Sequence, residues 1–518
     1  MRELEAPAPP RRSLESRFFW LAAGAVLGFG LFLRFWLRSD LWLDEALSVN
    51  IAKLHLTQIP GALRHDGAPP LYYVLLHFWM RIFGQGDFAV RALSGLASVA
   101  ALPFAWFAGR RLAGRRGAAA AVLVMGTSPF AIGYANAARM YSFMVLWTLL
   151  GLLALVRALE QPRPSRLAAV AIMAALIVYT HYWGMYLLIA VGGWLLFRAW
   201  RPTATATQSE ADERRTSLLV IGAVAAGALT FVPWVPSLLY QAAHTGTPWT
   251  SPAGLADILG ILGEYAGGGP WGALLGLSLF TMLLLGLFGR LIDGRHILLE
   301  LRTRRRARPI ACIFITTLVI AVIASGSSGS AFVGRYTSVV YPLFILLVAL
   351  GVSLFQDRRI MAGVLFVVCG SGLTVAFGGS NANRTEAGLV ADVLNQEAHA
   401  GDVVVYCPDQ LGPAVHRLLR PQVTELTFPR AIGPERVNWV DYRQVIQRTN
   451  VAAFAGEMIQ RASKGHNLWY VWRRGYPALG QACTQLYNEF SAFRPAEEMV
   501  HVFVYRYYEH EALYRFSG

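Results

Sequence analysis

Long apolar segments, separated by short polar ones, run along most of the chain. A helix that crosses a bilayer needs about 20 largely apolar residues. Segments of this kind predict eleven membrane-spanning helices, over 17–36, 89–108, 118–135, 141–158, 167–182, 184–198, 217–238, 271–290, 310–328, 337–355 and 360–378. The pattern therefore predicts an all-α polytopic membrane domain over 17–378, preceded by a polar tail over 1–16.

Arginine clusters test this count, because they occur before the first span and after each even-numbered one. With eleven spans every cluster lies on the same side of the membrane, which the positive-inside rule assigns to the cytoplasm. We therefore expect a multi-pass protein of the plasma (inner) membrane with a cytoplasmic N-terminus. The same topology exposes a first loop over 37–88, and everything after 378, on the extracytoplasmic side.

The region after the last span has a different pattern, with short alternating strands and amphipathic helices. It predicts strands over 402–407, 468–473 and 500–508 and helices over 409–420 and 452–463. We therefore expect a C-terminal extracytoplasmic α/β domain over 379–518. Cys407 and Cys483 lie in this region, and the sequence leaves open whether they form a disulfide or remain two buried thiols.

Composition narrows the possible partners. Of the 518 residues, 55% are hydrophobic and 15% are charged, and the formal net charge is +15. A net charge this positive would favour nucleic-acid binding only if the cationic side chains formed one contiguous surface. Here they lie in separate clusters between spans. We therefore expect the lipid bilayer, and no nucleic acid, as a partner. Lys53 and Lys464 are the only lysines, which is typical of a GC-rich bacterial genome.

The first extracytoplasmic loop holds the most unusual polar residues. Asp44 and Glu45 form an adjacent carboxylate pair just beyond the first span, where desolvation is costly. Two explanations stay open: a functional role, or solvation and pairing with nearby arginines. An amphipathic stretch over 46–64 and an apolar helix over 71–83 predict two interfacial helices. The loop also contains Asp66-Gly67-Ala68-Pro69-Pro70-Leu71-Tyr72-Tyr73 and Gly86-Asp87-Phe88-Ala89-Val90-Arg91.

This order of segments resembles the GT-C superfamily, in the branch of the protein O-mannosyltransferases and the lipid A aminoarabinose transferases. Two later pieces agree with it, Tyr179-Thr180-His181-Tyr182-Trp183 and Arg335-Tyr336 with Pro342. The resemblance covers about 17–355. It implies the GT-C fold and a glycosyltransferase that takes its sugar from a polyprenyl-phosphate donor on the extracytoplasmic face.

The resemblance implies that Asp44 is the base that deprotonates an acceptor hydroxyl, in a single displacement that inverts the anomeric centre. A lipid phosphate is a good leaving group, so one carboxylate and phosphate-binding cations suffice. Glu45, Asp66, His181 and Tyr72 are expected to bind donor or acceptor. A divalent metal on the carboxylate pair is an open alternative. It is not favoured, because the sequence offers no clear further oxygen ligands, and no metal ligand is assigned.

The departing lipid phosphate needs cations near the outer face of the membrane. Arg335 is the first candidate because it is the only cation between the ninth and tenth spans, where the positive-inside rule does not explain it. Arg139, Arg91 and Arg64 are the further candidates. Snorkelling towards lipid headgroups is the alternative explanation for Arg335.

The chain departs from this branch at two positions. Ala68 stands where the family has a histidine, so imidazole chemistry is absent there. Arg139 stands where the aminoarabinose branch has an acidic residue, which disfavours an aminosugar. By analogy with cell-envelope synthesis, we expect mannose or arabinofuranose transfer to a glycan, lipid or protein acceptor.

Three other classes of protein compete with this interpretation. A transporter or flippase of a lipid-linked sugar would place ionisable residues within its spans, whereas here they concentrate at the outer boundary. A ligase, polymerase or oligosaccharyltransferase would also use external arginines and a lipid phosphate. A sensor or scaffold centred on the C-terminal domain would leave the carboxylate pair unexplained.

Overall fold

The structure is a computed structural model that describes residues 14–200, 208–246, 252–292, 296–328, 331–420, 423–473, 476, 478–503 and 507–518. The helices of the apolar region are α1 Leu14–Leu33, α2 Leu43–Ala52, α3 Ile59–Asp66, α4 Leu71–Phe83, α5 Asp87–Thr127, α6 Pro129–Ala135, α7 Tyr141–Glu160, α8 Pro164–Thr180, α9 Trp183–Trp200, α10 Gln208–Leu229, α11 Val235–His244, α12 Leu255–Ala266, α13 Gly269–Phe288, α14 Arg308–Ser328, α15 Tyr341–Val352 and α16 Arg358–Asn381. A hairpin of β1 Gly289–Ile292 and β2 His296–Leu299 separates α13 from α14.

The helices confirm the all-α membrane domain. Within the described residues, seven helices are long and apolar enough to cross a bilayer, and four shorter apolar helices accompany them. One of the seven, α5, contains the span predicted over 89–108 and the first part of the span predicted over 118–135. They are joined at Ala113 and Gly114, whose backbone is not helical, and Gly114 has a φ of 68° that glycine adopts without strain. The chain therefore turns at this point, inside one of the arginine clusters.

Two predicted spans have different bounds in the structure. The span predicted over 118–135 is broken at Ser128, whose hydroxyl accepts a hydrogen bond from the Ala131 N–H at 3.3 Å. Pro129 follows at the first position of α6, so the second half of α5 ends there and a new helix begins. The span predicted over 337–355 begins only at Tyr341, because Gly334–Val339 forms a 3₁₀ helix.

The centre of the membrane domain is α15, in which every residue is buried. A helix that is apolar on all sides is stable only where other helices surround it. α15 packs between α5 and α13. Gly351 lies against the Met282 carbonyl so closely that a side chain would not fit. This packing fixes the start of α15, and with it the segment that carries Arg335.

The C-terminal region forms a small α/β domain, which confirms the predicted fold class. Its elements are α17 Ala387–Glu397, β3 Val403–Cys407, α18 Gly412–His416, β4 Thr424–Thr427, α19 Tyr442–Arg448, α20 Val451–Arg461, β5 Leu468–Trp472, α21 Ala482–Phe493, β6 Ala496–Val500 and β7 Ala512–Phe516. The sheet order is β4-β3-β5-β7-β6, with β4, β3 and β5 parallel and β7 antiparallel to both neighbours. A disulfide joins Cys407 to Cys483 and so settles the alternative left open by the sequence.

The strand predicted over 500–508 is not found beyond Val500 in the part of this range that the structure describes, and 504–506 lie outside the described residues. The strands are β6 and β7, and the described residues between them are not part of the sheet. Tyr508 and Glu509 instead donate their backbone N–H groups to the Arg384 carbonyl, at 3.1 and 2.8 Å. The chain therefore leaves the sheet here and returns to the membrane domain. The helix predicted over 409–420 is also shorter, because only Gly412–His416 is α-helical.

The C-terminal domain rests on the loop between α1 and α5. Three helices occupy that loop, and α4 coincides with the predicted apolar helix. α2 is almost completely buried, and its Leu47 belongs to the hydrophobic core of the C-terminal domain. The Asn50 amide donates to the Glu435 carbonyl at 2.7 Å, and the Trp439 N–H donates to the His65 carbonyl at 3.1 Å. The two domains thus enclose the loop that carries Asp44.

Candidate active site

A cavity of about 330 Å³ lies between α2, the ends of the membrane helices and the C-terminal domain. Five of the residues singled out in the sequence line it: Asp44, Asp66, Arg139, His181 and Arg335. These residues come from four separate parts of the chain. The fold therefore brings together the expected base, Asp44, and two of the arginines expected to bind the lipid phosphate, Arg335 and Arg139.

Asp44 lies in the first turn of α2 and faces the cavity. Its side chain is 17% exposed, and its Oδ2 atom is buried without a hydrogen-bond partner. The Arg335 Nη2 atom lies 3.8 Å from that oxygen, which gives an electrostatic contact and not a close hydrogen bond. A buried carboxylate oxygen with no hydrogen bond retains its capacity to accept a proton. The geometry suits a general base.

Two guanidinium groups face the same space. The Arg139 Nη1 atom donates to the Ser48 hydroxyl at 3.1 Å and to the Tyr73 hydroxyl at 3.3 Å, while its Nε atom is buried without a partner. The Nε atom of Arg335 is likewise buried and unpartnered. Neither arginine forms a close ion pair with a carboxylate of the described residues. Their donors can therefore bind an anionic group such as a phosphate.

Asp66 ends α3 on the opposite side of the cavity. The Tyr73 hydroxyl donates to its Oδ2 atom at 3.0 Å. Burial raises the pKa of Asp66, and the nearby Asp44 adds to the rise, while Arg139 opposes it. Gly67 ends the helix with a φ of 91°, and Ala68 then lines the cavity.

Glu45 and Arg91 do not line the cavity, because they bind each other. The Arg91 Nε and Nη2 atoms donate to the two carboxylate oxygens of Glu45 at 2.8 and 2.6 Å, and Glu45 is fully buried. The Ala138 N–H also donates to Glu45, at 2.9 Å, and Arg384 lies 3.9 Å away. Burial alone would raise the pKa of Glu45, but Arg91 and Arg384 hold it below its usual value. The pair fixes α2 against α5 and the turn before Arg139.

The remaining predicted residues have varied positions. Tyr72 is fully buried, with its ring 6.1 Å from that of Phe143, and it does not line the cavity. Arg64 places its guanidinium 4.4 Å from the centre of the Tyr240 ring, outside the cavity. His181 accepts a hydrogen bond from the Trp183 N–H at 3.2 Å. Its ring lies 4.6 Å from that of Tyr336, which also lines the cavity.

The C-terminal domain closes the cavity with residues that the sequence analysis did not select. The members of this roof are Pro408, Gln410, Leu411, Trp439, Arg473, Tyr476, Tyr508 and Glu509. They come from four loops of the domain and share no motif or spacing. The sequence signal that could have identified these residues is the group of aromatic and acidic side chains over 507–511. The alternating pattern predicts part of this group as a strand.

Glu509 connects the roof to the helix that carries Asp44. Its two carboxylate oxygens accept the Leu43 N–H at 3.3 and 3.4 Å. The residue before the helix, Trp42, provides no side-chain cap. Glu509, from the C-terminal domain, therefore accepts a backbone N–H of the first turn of α2 that has no partner within the helix. Burial raises the pKa of Glu509 to about 7, and Asp44 contributes to the rise.

We expect Glu509→Ala to lower both stability and turnover. Losing a helix cap costs about 0.5–2 kcal/mol, and α2 would no longer hold Asp44 in one position. The thermal midpoint of the purified protein and the turnover number for sugar transfer are the measurements. Glu457→Ala is the matched control, because Glu457 is exposed on α20 and pairs only with Arg461 four residues later. Equal behaviour of the two variants would contradict the capping role.

The described residues contain no group of three or more histidine, cysteine, aspartate or glutamate side chains that could hold a metal ion. In the cavity the carboxylates of Asp44, Asp66 and Glu509 are accompanied by three arginines, Arg139, Arg335 and Arg473. This donor set favours an anion over a cation.

Comparisons with known proteins agree with the fold. Residues 67–235 match the family described as Dolichyl-phosphate-mannose-protein mannosyltransferase. Among curated protein sequences, none matches significantly. The fold is similar to that of ArnT from Cupriavidus metallidurans bound to undecaprenyl phosphate, with a TM-score of 0.58 and 13% identity over 96% of this chain and 97% of that one. The apo state of ArnT gives 0.60 with the same identity and coverage.

A second solved structure has the same type of fold. The oligosaccharyltransferase from Archaeoglobus fulgidus, tethered with an acceptor peptide containing the NVT sequon, gives a TM-score of 0.50 and 10% identity over 88% of this chain and 70% of that one. The family match and the ArnT-like fold confirm the resemblance: the chain is a membrane glycosyltransferase with the GT-C fold. The matched segment includes Arg139 and His181 but neither Asp44 nor Arg335.

Proposed function

We propose that this protein transfers a sugar from a polyprenyl-phosphate donor to an acceptor hydroxyl, with Asp44 as the base. The observation that carries the proposal is the cavity in which the Asp44 carboxylate faces two arginines with unpartnered Nε atoms. Such a transfer requires a base that takes the proton of the hydroxyl and cations that stabilise the departing phosphate. Asp44 supplies the base, and the two arginines supply the cations. The undecaprenyl phosphate bound to ArnT supports a lipid phosphate as the donor's leaving group.

The reaction is a single displacement. Asp44 takes the proton from the acceptor hydroxyl, and the oxygen forms a bond to the anomeric carbon. The bond from that carbon to the phosphate oxygen breaks, and the anomeric configuration inverts. The lipid phosphate leaves with the additional negative charge, which Arg335 and Arg139 stabilise. No acid is needed at the leaving oxygen, because the lipid phosphate, a phosphate monoester, is already a good leaving group.

The finer assignments follow from the same site. The donor sugar is mannose or arabinofuranose, since Arg139 replaces the acid of the aminoarabinose branch, and the family description supports mannose. Asp66, His181 and Tyr336 line the remaining walls and orient donor and acceptor. The acceptor is an envelope glycan, lipid or protein that enters beneath the C-terminal domain. This assignment places the cavity on the extracytoplasmic side of the plasma membrane and the arginine clusters in the cytoplasm.

The test is donor consumption by the protein in nanodiscs. Radiolabelled polyprenyl-phosphate mannose and polyprenyl-phosphate arabinofuranose are each supplied with an extract of envelope glycans, and released lipid phosphate and labelled product are measured. Consumption of one donor with labelling of an acceptor supports the proposal. A protein that moves the labelled lipid between leaflets without consuming it would be a flippase, and the proposal would be abandoned.

We expect Arg335→Gln to reduce transfer by about 10²–10³-fold, which is the usual effect of removing one group that stabilises developing charge. The change leaves a shorter polar side chain and removes the charge that faces Asp44. Arg290→Gln is the control. Arg290 is exposed in the β1–β2 hairpin, which follows the C-terminal end of α13, whereas the loop that precedes α13 lies at the other end of that helix. Initial rates at saturating donor are compared. Equal rates for both variants would remove Arg335 from the phosphate site.

A further inference from the structure

A second, larger cavity lies on the arginine-rich side of the membrane domain. Its volume is about 1630 Å³, against about 330 Å³ for the active-site cavity. α1, α5 and α16 form its walls. The apolar wall residues include Phe19, Val26, Leu123, Leu365 and Phe366. Phe366 is 78% exposed, so the groove opens towards the lipid.

One end of this groove is strongly cationic. Arg115, Arg116, Arg358 and Arg359 line it together with Gln356. The Arg116 Nη2 atom donates to the Gln356 carbonyl at 3.0 Å, which ties the two arginine-bearing segments to each other. No acid is among the described residues that line the groove. Asp357 adjoins it, and its carboxylate accepts the Arg359 N–H at 2.7 Å and caps α16. The described lining therefore carries an excess of positive charge.

Two helix N-termini meet at the same place. α16 begins at Arg358, and the second half of α5 begins after Gly114, where the backbone leaves the helical conformation. A helix N-terminus carries partial positive charge and favours anions, above all phosphate. The arginines and the two helix ends therefore act in the same direction, while the remaining wall is hydrocarbon-like.

We propose that this groove binds an anionic phospholipid of the bilayer, with its phosphate among the arginines and its acyl chains along α1, α5 and α16. Basic pockets between membrane helices on this side are typical sites for anionic headgroups. The apolar walls match the chains, and an aqueous phosphate would leave them uncovered.

The groove is distinct from the donor site. Arg91 binds Glu45 beside the active-site cavity, and the first half of α5 continues from it to Leu112, just before the break at Ala113 and Gly114 that leads to Arg115. Leu112 lies 21 residues after Arg91, which corresponds to about 32 Å at 1.5 Å per residue. That distance is close to the thickness of a bilayer. A lipid phosphate at Arg115 therefore cannot reach Asp44, so the proposal stands whether or not the transfer reaction is confirmed.

The first experiment is lipid retention measured by native mass spectrometry. The protein is titrated with phosphatidylglycerol or phosphatidylcholine, and wild type is compared with the double variant Arg115→Gln/Arg358→Gln. We expect wild type to retain phosphatidylglycerol preferentially and the variant to bind it about thirtyfold more weakly, from the contribution of two arginines near a membrane surface. Arg302→Gln/Arg305→Gln is the control, because these exposed arginines are on the same side but outside the groove.

Three outcomes would overturn the proposal: equal retention of both phospholipids, equal losses in the two double variants, or preferential retention of undecaprenyl phosphate over phosphatidylglycerol. A second measurement does not depend on the folding of any variant. A photoactivatable phosphatidylglycerol is cross-linked to wild-type protein in vesicles, and the labelled peptides are mapped. Labels on α1, the second half of α5 and α16 support the proposal, whereas labels spread over all membrane helices contradict it.

Discussion

Asp44→Asn should reduce sugar transfer by about 10²–10⁴-fold, which is the range for losing a general base. The amide has nearly the same shape as the carboxylate but cannot accept the proton of the acceptor hydroxyl. The Arg335 contact is the one salt bridge that Asp44 makes among the described residues, at 3.8 Å, so the substitution disturbs little else. Single-turnover rates with bound donor measure the chemical step directly, and donor affinity should change much less than the rate.

Asp392→Asn is the matched control for this prediction, because Asp392 is exposed on α17, away from the cavity. Asp66→Asn distinguishes the role of Asp66 from that of Asp44, since both carboxylates line the cavity. The pKa of Asp66 is raised by burial, so Asp66 is a weaker candidate for an ionised group that faces the substrate. A large loss in Asp66→Asn together with near-normal transfer in Asp44→Asn would reassign the base to Asp66.

The local motifs allowed the membrane half of the site to be predicted from sequence. Asp44 follows the first span, Arg139 lies between the third and fourth predicted spans, and Arg335 precedes the tenth. Topology alone places all three at the same face, because a span reverses the side of the membrane each time. The side of the membrane on which each loop lies therefore limits how far apart these three residues can be, even when the packing of the helices is unknown. The cavity contains all three residues.

The same reasoning could not assign partners. Glu45 and Arg91 are both polar residues of the outer boundary, and the sequence grouped them with donor- or phosphate-binding residues. The structure shows them paired at 2.6 Å, with Glu45 fully buried. Whether a cation binds substrate or a neighbouring acid depends on side-chain packing across 46 residues of sequence. Sequence pattern carries no information about that choice.

The roof was missed for a different reason. Tyr508 lies at the end of an alternating stretch that is typical of a strand, and Glu509 follows it directly, so the strand prediction directed attention to a sheet and not to the cavity. In the structure the Arg384 carbonyl accepts both of their N–H groups, which holds this segment over the cavity. A contact between this segment and the stretch that follows the last membrane helix overrides the local preference.

Removing one partner of the buried pair should destabilise the whole protein. Glu45→Ala leaves the Arg91 guanidinium, 6% exposed, without its carboxylate, and also removes the acceptor of the Ala138 N–H. Breaking a buried pair in this way costs about 3–5 kcal/mol, because a charge stays desolvated without compensation. The free energy of unfolding in mixed micelles, measured at increasing denaturant, is the test.

The matched control is Glu160→Ala, which breaks the ion pair with Arg111. Both partners are largely exposed there, and such a pair contributes about 0–1 kcal/mol. The double variant Glu45→Ala/Arg91→Met then distinguishes two causes. If the loss comes from an uncompensated charge, removing the charge as well should restore part of the stability, since both partners of the pair are gone. If the double variant is no more stable than Glu45→Ala, the destabilisation comes from lost packing of α2, and the electrostatic explanation is wrong.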